Sequence, residues 1–184
     1  MRLVIMGAPG AGKGTQGELL AQTLGVPRYA TGDILRRALR DGTPIGREAR
    51  RYMEAGELVP DDVMLGIVGH ALERPESADG FILDGFPRTV TQAEGLSRLL
   101  ASRGSELDAV IDLAVDDEEI MKRLAGRGRG DDGLETIRRR LEVYRAQTEP
   151  VLEWYAGTEV PILRVEGVGA IDEIQRHILD RLGR

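Results

Sequence analysis

Lys13 is one of only two lysines in the chain, the other being Lys122, and it stands in the run Gly7-Ala8-Pro9-Gly10-Ala11-Gly12-Lys13-Gly14-Thr15. Glycines at that density let successive backbone N–H groups turn inward around phosphate oxygens, and a helix beginning at the lysine adds its dipole. Lys13 then reaches the terminal phosphates as a point charge. The strict form of such a loop places Ser or Thr directly after the lysine to meet magnesium. Here Gly14 intervenes and Thr15 follows, so that hydroxyl's metal role does not carry over automatically. A second feature is a crowd of arginines, Arg123, Arg127, Arg129, Arg138, Arg139, Arg140 and Arg145. In an acidic protein such a cluster suits either a small anionic ligand or a solvated helix face. Asp84, directly after the apolar Phe81-Ile82-Leu83, is placed either to serve a metal beside the phosphates or as a strand-end turn residue.

These groups need elements to hold them. Residues 2–6 read as a buried strand, the glycine loop follows, and Lys13 to Leu24 is helical until Gly25 and Pro27. Thr31-Gly32-Asp33 opens a capped helix that stops at Asp41-Gly42. A short helix fits 46–55, and Pro60-Asp61-Asp62 opens another. Strand 81–83, helix 89–102, strand 109–115, helix 116–125, a long helix over 134–156, strand 162–165 and helix 170–182 complete the chain. Strands alternating with helices predict an α/β fold with a parallel sheet and right-handed crossovers. Two stretches break the rhythm: 30–60, helical only, and the glycine-rich, charged 126–133. In the long helix, Leu134, Ile137, Leu141, Tyr144 and Thr148 share one face. Arg140 lies at the edge of that stripe and Arg139 on the far side, so Arg140 is the one that needs an anionic partner, whether a ligand or Asp131 or Asp132.

Composition narrows the classes. The chain has 184 residues, a net charge of −6, 41% hydrophobic and 30% charged residues, which suits one compact domain. No apolar run is long enough to span a bilayer, and the N-terminus does not read as a signal peptide, so the cytoplasm is the expected address. With no cysteine, and only His70 and His177, a disulfide, a thiolate zinc site or a histidine cluster is not expected. Acidity and 4% aromatics argue against nucleic acid as a partner.

Together the motifs resemble the adenylate kinase family, in its short-lid form. The glycine loop has that family's Gly-Thr ending. Thr31-Gly32-Asp33-Ile34-Leu35-Arg36 is similar to its T-G-D-L/M-L/F-R, and Gly56-Glu57-Leu58-Val59-Pro60-Asp61 to its G-x-L-V-P/S-D. Asp84-Gly85-Phe86-Pro87-Arg88-Thr89-Val90-Thr91-Gln92 matches D-G-F/Y-P-R-T/S-x-x-Q. Arg123-Leu124-Ala125-Gly126-Arg127 matches R-I/L-x-x-R, and Arg129-Gly130-Asp131-Asp132 matches R-x-D-D. The pieces occur in order over nearly the whole chain.

The resemblance implies a three-layer α/β/α P-loop kinase with a five-stranded parallel sheet. A single domain over 1–184 would carry a helical nucleoside-monophosphate flap at 30–59 and a short lid at 126–133. It implies ATP at Gly10, Ala11, Gly12, Lys13, Gly14, Thr15, Arg123, Arg127 and Gly169. It implies AMP at Thr31, Arg36, Glu57, Leu58, Val59, Gly85, Phe86, Pro87, Arg88 and Gln92, with Arg129 and Arg140 bridging both substrates. Lys13, Arg88, Arg123, Arg129 and Arg140 would be catalytic, and Asp84 would hold Mg²⁺ through water. The implied reaction is ATP + AMP = 2 ADP, run by a monomer with no structural zinc. An AMP phosphate is largely ionised at pH 7, its second pKa being about 6, so positioning and charge neutralisation would suffice without a general base. Both irregular segments would close to keep water out. A UMP/CMP kinase is the nearest alternative, but that family typically has alanine where Thr31 stands. A non-catalytic guanine-nucleotide switch would need an N-K-x-D signature, which a chain without asparagine cannot supply.

Overall fold

A computed structural model describes residues 1–127 and 133–184, though not the side chains of Arg127 and Leu134. Five parallel strands form one sheet in the order β2-β3-β1-β4-β5. These are β1 (Arg2–Met6), β2 (Arg28–Ala30), β3 (Phe81–Asp84), β4 (Ala109–Ala114) and β5 (Ile162–Glu166). The three inner strands are near-continuous apolar runs because helices cover both sheet faces. One face buries Leu3, Ile5, Ile82 and Ile111 against Leu20 of α1 (Lys13–Leu24) and Ile174 and Ile178 of α9 (Ile171–Arg181). The other buries Val4, Leu83 and Val110 against α4 (Asp61–Leu72), α5 (Val90–Ala101) and α8 (Glu149–Ala156). A smaller cluster of Ala8, Ile120, Leu124, Ile137 and Leu141 ties the glycine loop to α6 (Asp117–Arg127) and α7 (Leu134–Val143). Among the described residues no helix is long and apolar enough to cross a membrane.

Three expectations need correction. The edge strand β2 was not foreseen. It is only three residues long and opens with Arg28, so it lacks the apolar run that marks its neighbours. The helix after it, α2 (Thr31–Arg40), has no side-chain cap: the Thr31 hydroxyl donates instead to the backbone oxygens of Gly85 (2.9 Å) and Asp84 (3.3 Å). The long helix expected over 134–156 is interrupted by one wide π turn, Tyr144–Thr148, before α8. Pro150 supplies the reason, since it has no N–H to donate and its ring crowds the carbonyl four residues back.

α2 and α3 (Pro44–Ala55) form a helical hairpin on the β2 side, and Gly46 is where they touch. A Cβ there would lie 2.1 Å from the Ala38 carbonyl oxygen, so only glycine admits this approach. Gly46→Ala is expected to cost about 1–3 kcal/mol as an overpacking change. That is a fall of roughly 3–10 °C in Tm for a chain of this size, measurable by calorimetry; an unchanged Tm would show that the helices part without penalty. The short lid expected over 126–133 falls mostly outside the described residues.

Candidate active site

The strands all direct their C-terminal ends to one edge of the sheet, where a cleft of about 830 Å³ opens. Open parallel sheets bind ligands at this edge. One wall is the glycine loop. Gly10 and Gly12 have φ of +92° and +99°, left-handed conformations that a side chain would resist. They turn the chain so that α1 begins at Lys13 with no side chain capping it. Its first-turn amides are therefore not satisfied by a cap, and Gly12, Lys13, Gly14 and Thr15 line the cleft. Lys13 Nζ donates to the carbonyls of Gly7 (2.7 Å) and Ala8 (2.8 Å), which holds the ammonium over the loop.

Arg123 reaches over the same wall from α6. Its Nε donates to Glu119 (2.8 Å), Nη1 to the Ala11 carbonyl (3.4 Å) and Nη2 to the Gly167 carbonyl (3.0 Å). The Arg123 hydrogen bond is the main reason that the Glu119 carboxyl sits below its ordinary pKa. Gly169, from the same turn as Gly167, also lines the cleft.

The opposite wall is cationic. Arg88 leaves the turn after β3 with its Nε donating to the Gly85 carbonyl (2.7 Å), while its own carbonyl accepts from the Thr148 hydroxyl (2.9 Å). The π turn delivers that hydroxyl. Burial pushes the Arg88 guanidinium pKa down; Asp84 opposes the shift, and Arg140 and Arg36 add to it. Guanidiniums within one another's field call for an anion between them. Arg36 also donates to Asp33 (2.6 Å). The helical wheel is right about Arg140, which is half-buried and faces the cleft. It is incomplete about Arg139, which is exposed but bridges Glu142 (3.4 Å) and Glu57 (3.2 Å), linking α7 to the end of the α3 hairpin.

Beside Arg88, Thr31 and Gln92 are buried and line the cleft. Gln92 Oε1 accepts the Arg88 N–H (2.8 Å) and Nε2 donates to Asp61 (2.7 Å), leaving by valence one lone pair and one N–H of the amide. Glu57, Leu58, Val59, Gly85 and Pro87 complete this wall. Phe86 does not: its side chain turns into the core, so only its backbone can serve. Arg129, Asp131, Asp132 and the Arg127 side chain lie outside the described residues. His70 is exposed and pairs with Glu73, and His177 is exposed too, away from the cleft.

Asp84 Oδ2 lies 3.9 Å from where a Cβ on Gly14 would stand, so its carboxylate faces the start of α1. It accepts from Arg28 Nη1 at 2.7 Å. Sequence reasoning missed Arg28, along with Gly167, Tyr144 and Thr148. The Gly167-x-Gly169 pair was a usable signal for the first of those loop residues; nothing local marked Arg28.

A glycine-built helix start carrying a lysine, facing guanidiniums across one cleft at the sheet's C-terminal edge, defines a phosphotransferase of the P-loop kinase class. The family model described as Adenylate kinase matches residues 5–160. Over 184 residues, the whole of both chains, the sequence is 48% identical to the adenylate kinase of Mycolicibacterium smegmatis and 47% identical to that of Nocardia farcinica. It is 48% identical over 182 residues, 97% of each chain, to the adenylate kinase of Leptospira biflexa. The chain belongs to the adenylate kinase family and is a phosphotransferase. That family's substrates are ATP and AMP, with Mg²⁺ accompanying ATP.

Proposed function

We propose that the glycine loop of this chain holds ATP and that the Arg88 wall holds AMP, for the reversible reaction ATP + AMP = 2 ADP. The observation that carries this assignment is the two-sided cleft: an anion nest with Lys13 on one wall, and Arg88 with Arg36 and Arg140 in its field on the other. In this reading Gly10 to Thr15 bind the donor phosphates, with Arg123, Arg127 and Gly169 beside the nucleotide. Arg36 and Arg88 orient the acceptor phosphate, and Arg129 and Arg140 neutralise charge on the group in transit. The hairpin within 30–59 acts as the AMP flap, and 126–133 as the short lid. Gly46→Ala, by parting that hairpin, should raise KM for AMP several-fold and leave KM for ATP near its original value.

The residues fit a hydrated magnesium ion. Asp84 offers a hard oxygen facing the start of α1, and Thr15 adds a hydroxyl at the cleft. Among the described residues no group of His, Cys, Asp and Glu forms a protein cage for a metal. Asp84 would therefore act together with the nucleotide's own oxygens, through water. When bound, magnesium neutralises the terminal phosphates.

Base selection falls to Thr31 and Gln92. The Thr31 hydroxyl proton is directed at Gly85, so its oxygen meets the base as an acceptor, which suits an amino group. Gln92 can still donate one proton and accept another, the pattern an adenine edge requires. Gln92→Ala should raise KM for AMP about tenfold or more and barely move KM for ATP. The assay is ADP formation from ATP with AMP, CMP, UMP or GMP offered separately to parent and variant. A parent preference for UMP or CMP would overturn the AMP assignment. Equal damage to both substrates' KM would make Gln92 a purely structural link between Arg88 and Asp61.

A further inference from the structure

Arg28 reaches into the donor side of the cleft, and neither its position on an edge strand nor any motif accounts for it. Its guanidinium contacts three carboxylates: Asp84 at 2.7 Å, Glu18 at 3.2 Å and Asp33 at 3.7 Å. The Arg28 and Asp84 side chains are only 17% and 11% exposed, whereas Glu18 and Asp33 are 56% and 54% exposed. The tight, buried member of the set is thus Asp84, and the looser members form a second resting place nearer solvent. The path of the side chain is also provided for. A Cβ on Gly17 would lie 2.9 Å from Arg28 Cδ, so the bare glycine in α1 is what lets the arginine lie in this channel.

A carboxylate that accepts a charge-assisted hydrogen bond from a guanidinium is a weaker anchor for a second cation. The two positive charges repel across a poorly screened space, and one carboxylate oxygen is already occupied. We propose that Arg28 is a positioning residue that competes with the magnesium ion for Asp84, so that cation binding on the nucleotide displaces Arg28 toward Glu18 and Asp33. This rests on the reading above that Asp84 serves the cation. The arginine would keep the Asp84 carboxylate paired while the cleft is empty, and it would make tight divalent-ion binding conditional on a nucleotide that brings the ion in.

The test is direct measurement of Mn²⁺ binding by electron paramagnetic resonance, with the protein loaded with an ATP analogue whose terminal phosphate cannot be transferred. Arg28→Gln, which keeps a hydrogen-bond donor and removes the charge, should tighten Mn²⁺ binding by about five- to tenfold. Gly17→Ala keeps Arg28 but pushes its stem off Asp84, and should move the affinity in the same direction. Its added helix propensity supports the fold of α1. Asp84→Asn should weaken binding, and Arg28→Gln should have no further effect in that background. Unchanged affinity, within twofold, in a folded Arg28→Gln protein overturns the proposal. If that variant does not fold, Gly17→Ala decides by the same criterion. Tightening that persists in the double variant overturns it too, because Arg28 would then act without Asp84. A lowered Tm with unchanged Mn²⁺ affinity makes Arg28 a structural clamp only. The Asp84 reading fails separately: Asp84→Asn with the parent's affinity sinks it, whatever Arg28 does.

Discussion

Lys13→Ala is expected to lower kcat at least a hundredfold, about 2.7 kcal/mol of transition-state stabilisation, while the protein keeps its fold. The size follows from what the ammonium does. Two loop carbonyls hold it at 2.7 and 2.8 Å, so the charge is kept within the glycine loop, beside the place proposed for the donor phosphates. The fold should survive because both bonds are only part-buried and Gly7 lines the cleft, so water can replace the lost donor at little cost. Steady-state kinetics on a variant whose circular dichroism and Tm match the parent provide the check. Near-normal turnover in such a protein would remove the glycine loop from the reaction.

Arg88→Met is the second large effect, and it should separate catalysis from stability. We expect kcat to fall by about 10²–10³, with Tm unchanged or raised. In the unliganded protein Arg88 is a cation driven down in pKa by burial, with Arg36 and Arg140 adding to that strain and Asp84 relieving it. A methionine fills similar space and removes the repulsion. What it cannot do is meet a phosphate with a planar fork of donors. A kcat loss accompanied by a fall of many degrees in Tm would mean that the Arg88 side chain matters as a structural link, through its bond to the Gly85 carbonyl, and not as a phosphate ligand.

These two residues also illustrate what can be read from a chain. Lys13 acts through its immediate neighbours: a strand end, glycines that permit φ near +100°, and a helix start are all local. So are the apolar runs of β1, β3 and β4 and the helical stripe that singles out Arg140 over Arg139. Thr31, Arg36, Arg88 and Gln92 each sit in a short motif, which singles them out along the chain, and all four line the cleft.

Their contacts in the cleft were settled across long sequence separations. Gln92 meets Asp61, Thr148 meets the Arg88 carbonyl and Arg28 meets Asp84, 56 residues away, only because α5 packs against α4, α8 packs against α5 and β2 pairs with β3. The wide turn at Tyr144–Thr148 was foreshadowed by Pro150, yet its use in pinning Arg88 depends on where α8 lies. Phe86 belongs to a motif whose other members line the cleft at Gly85, Pro87, Arg88 and Gln92, but it turns its ring into the core, since the turn after β3 has one side toward the cleft and one toward the sheet-covering helices. Local spacing determined which residues could bind phosphate. The strand order then decided which carboxylate each cation answers to, because charge pairing depends on distance in space and carries no periodic trace along the chain.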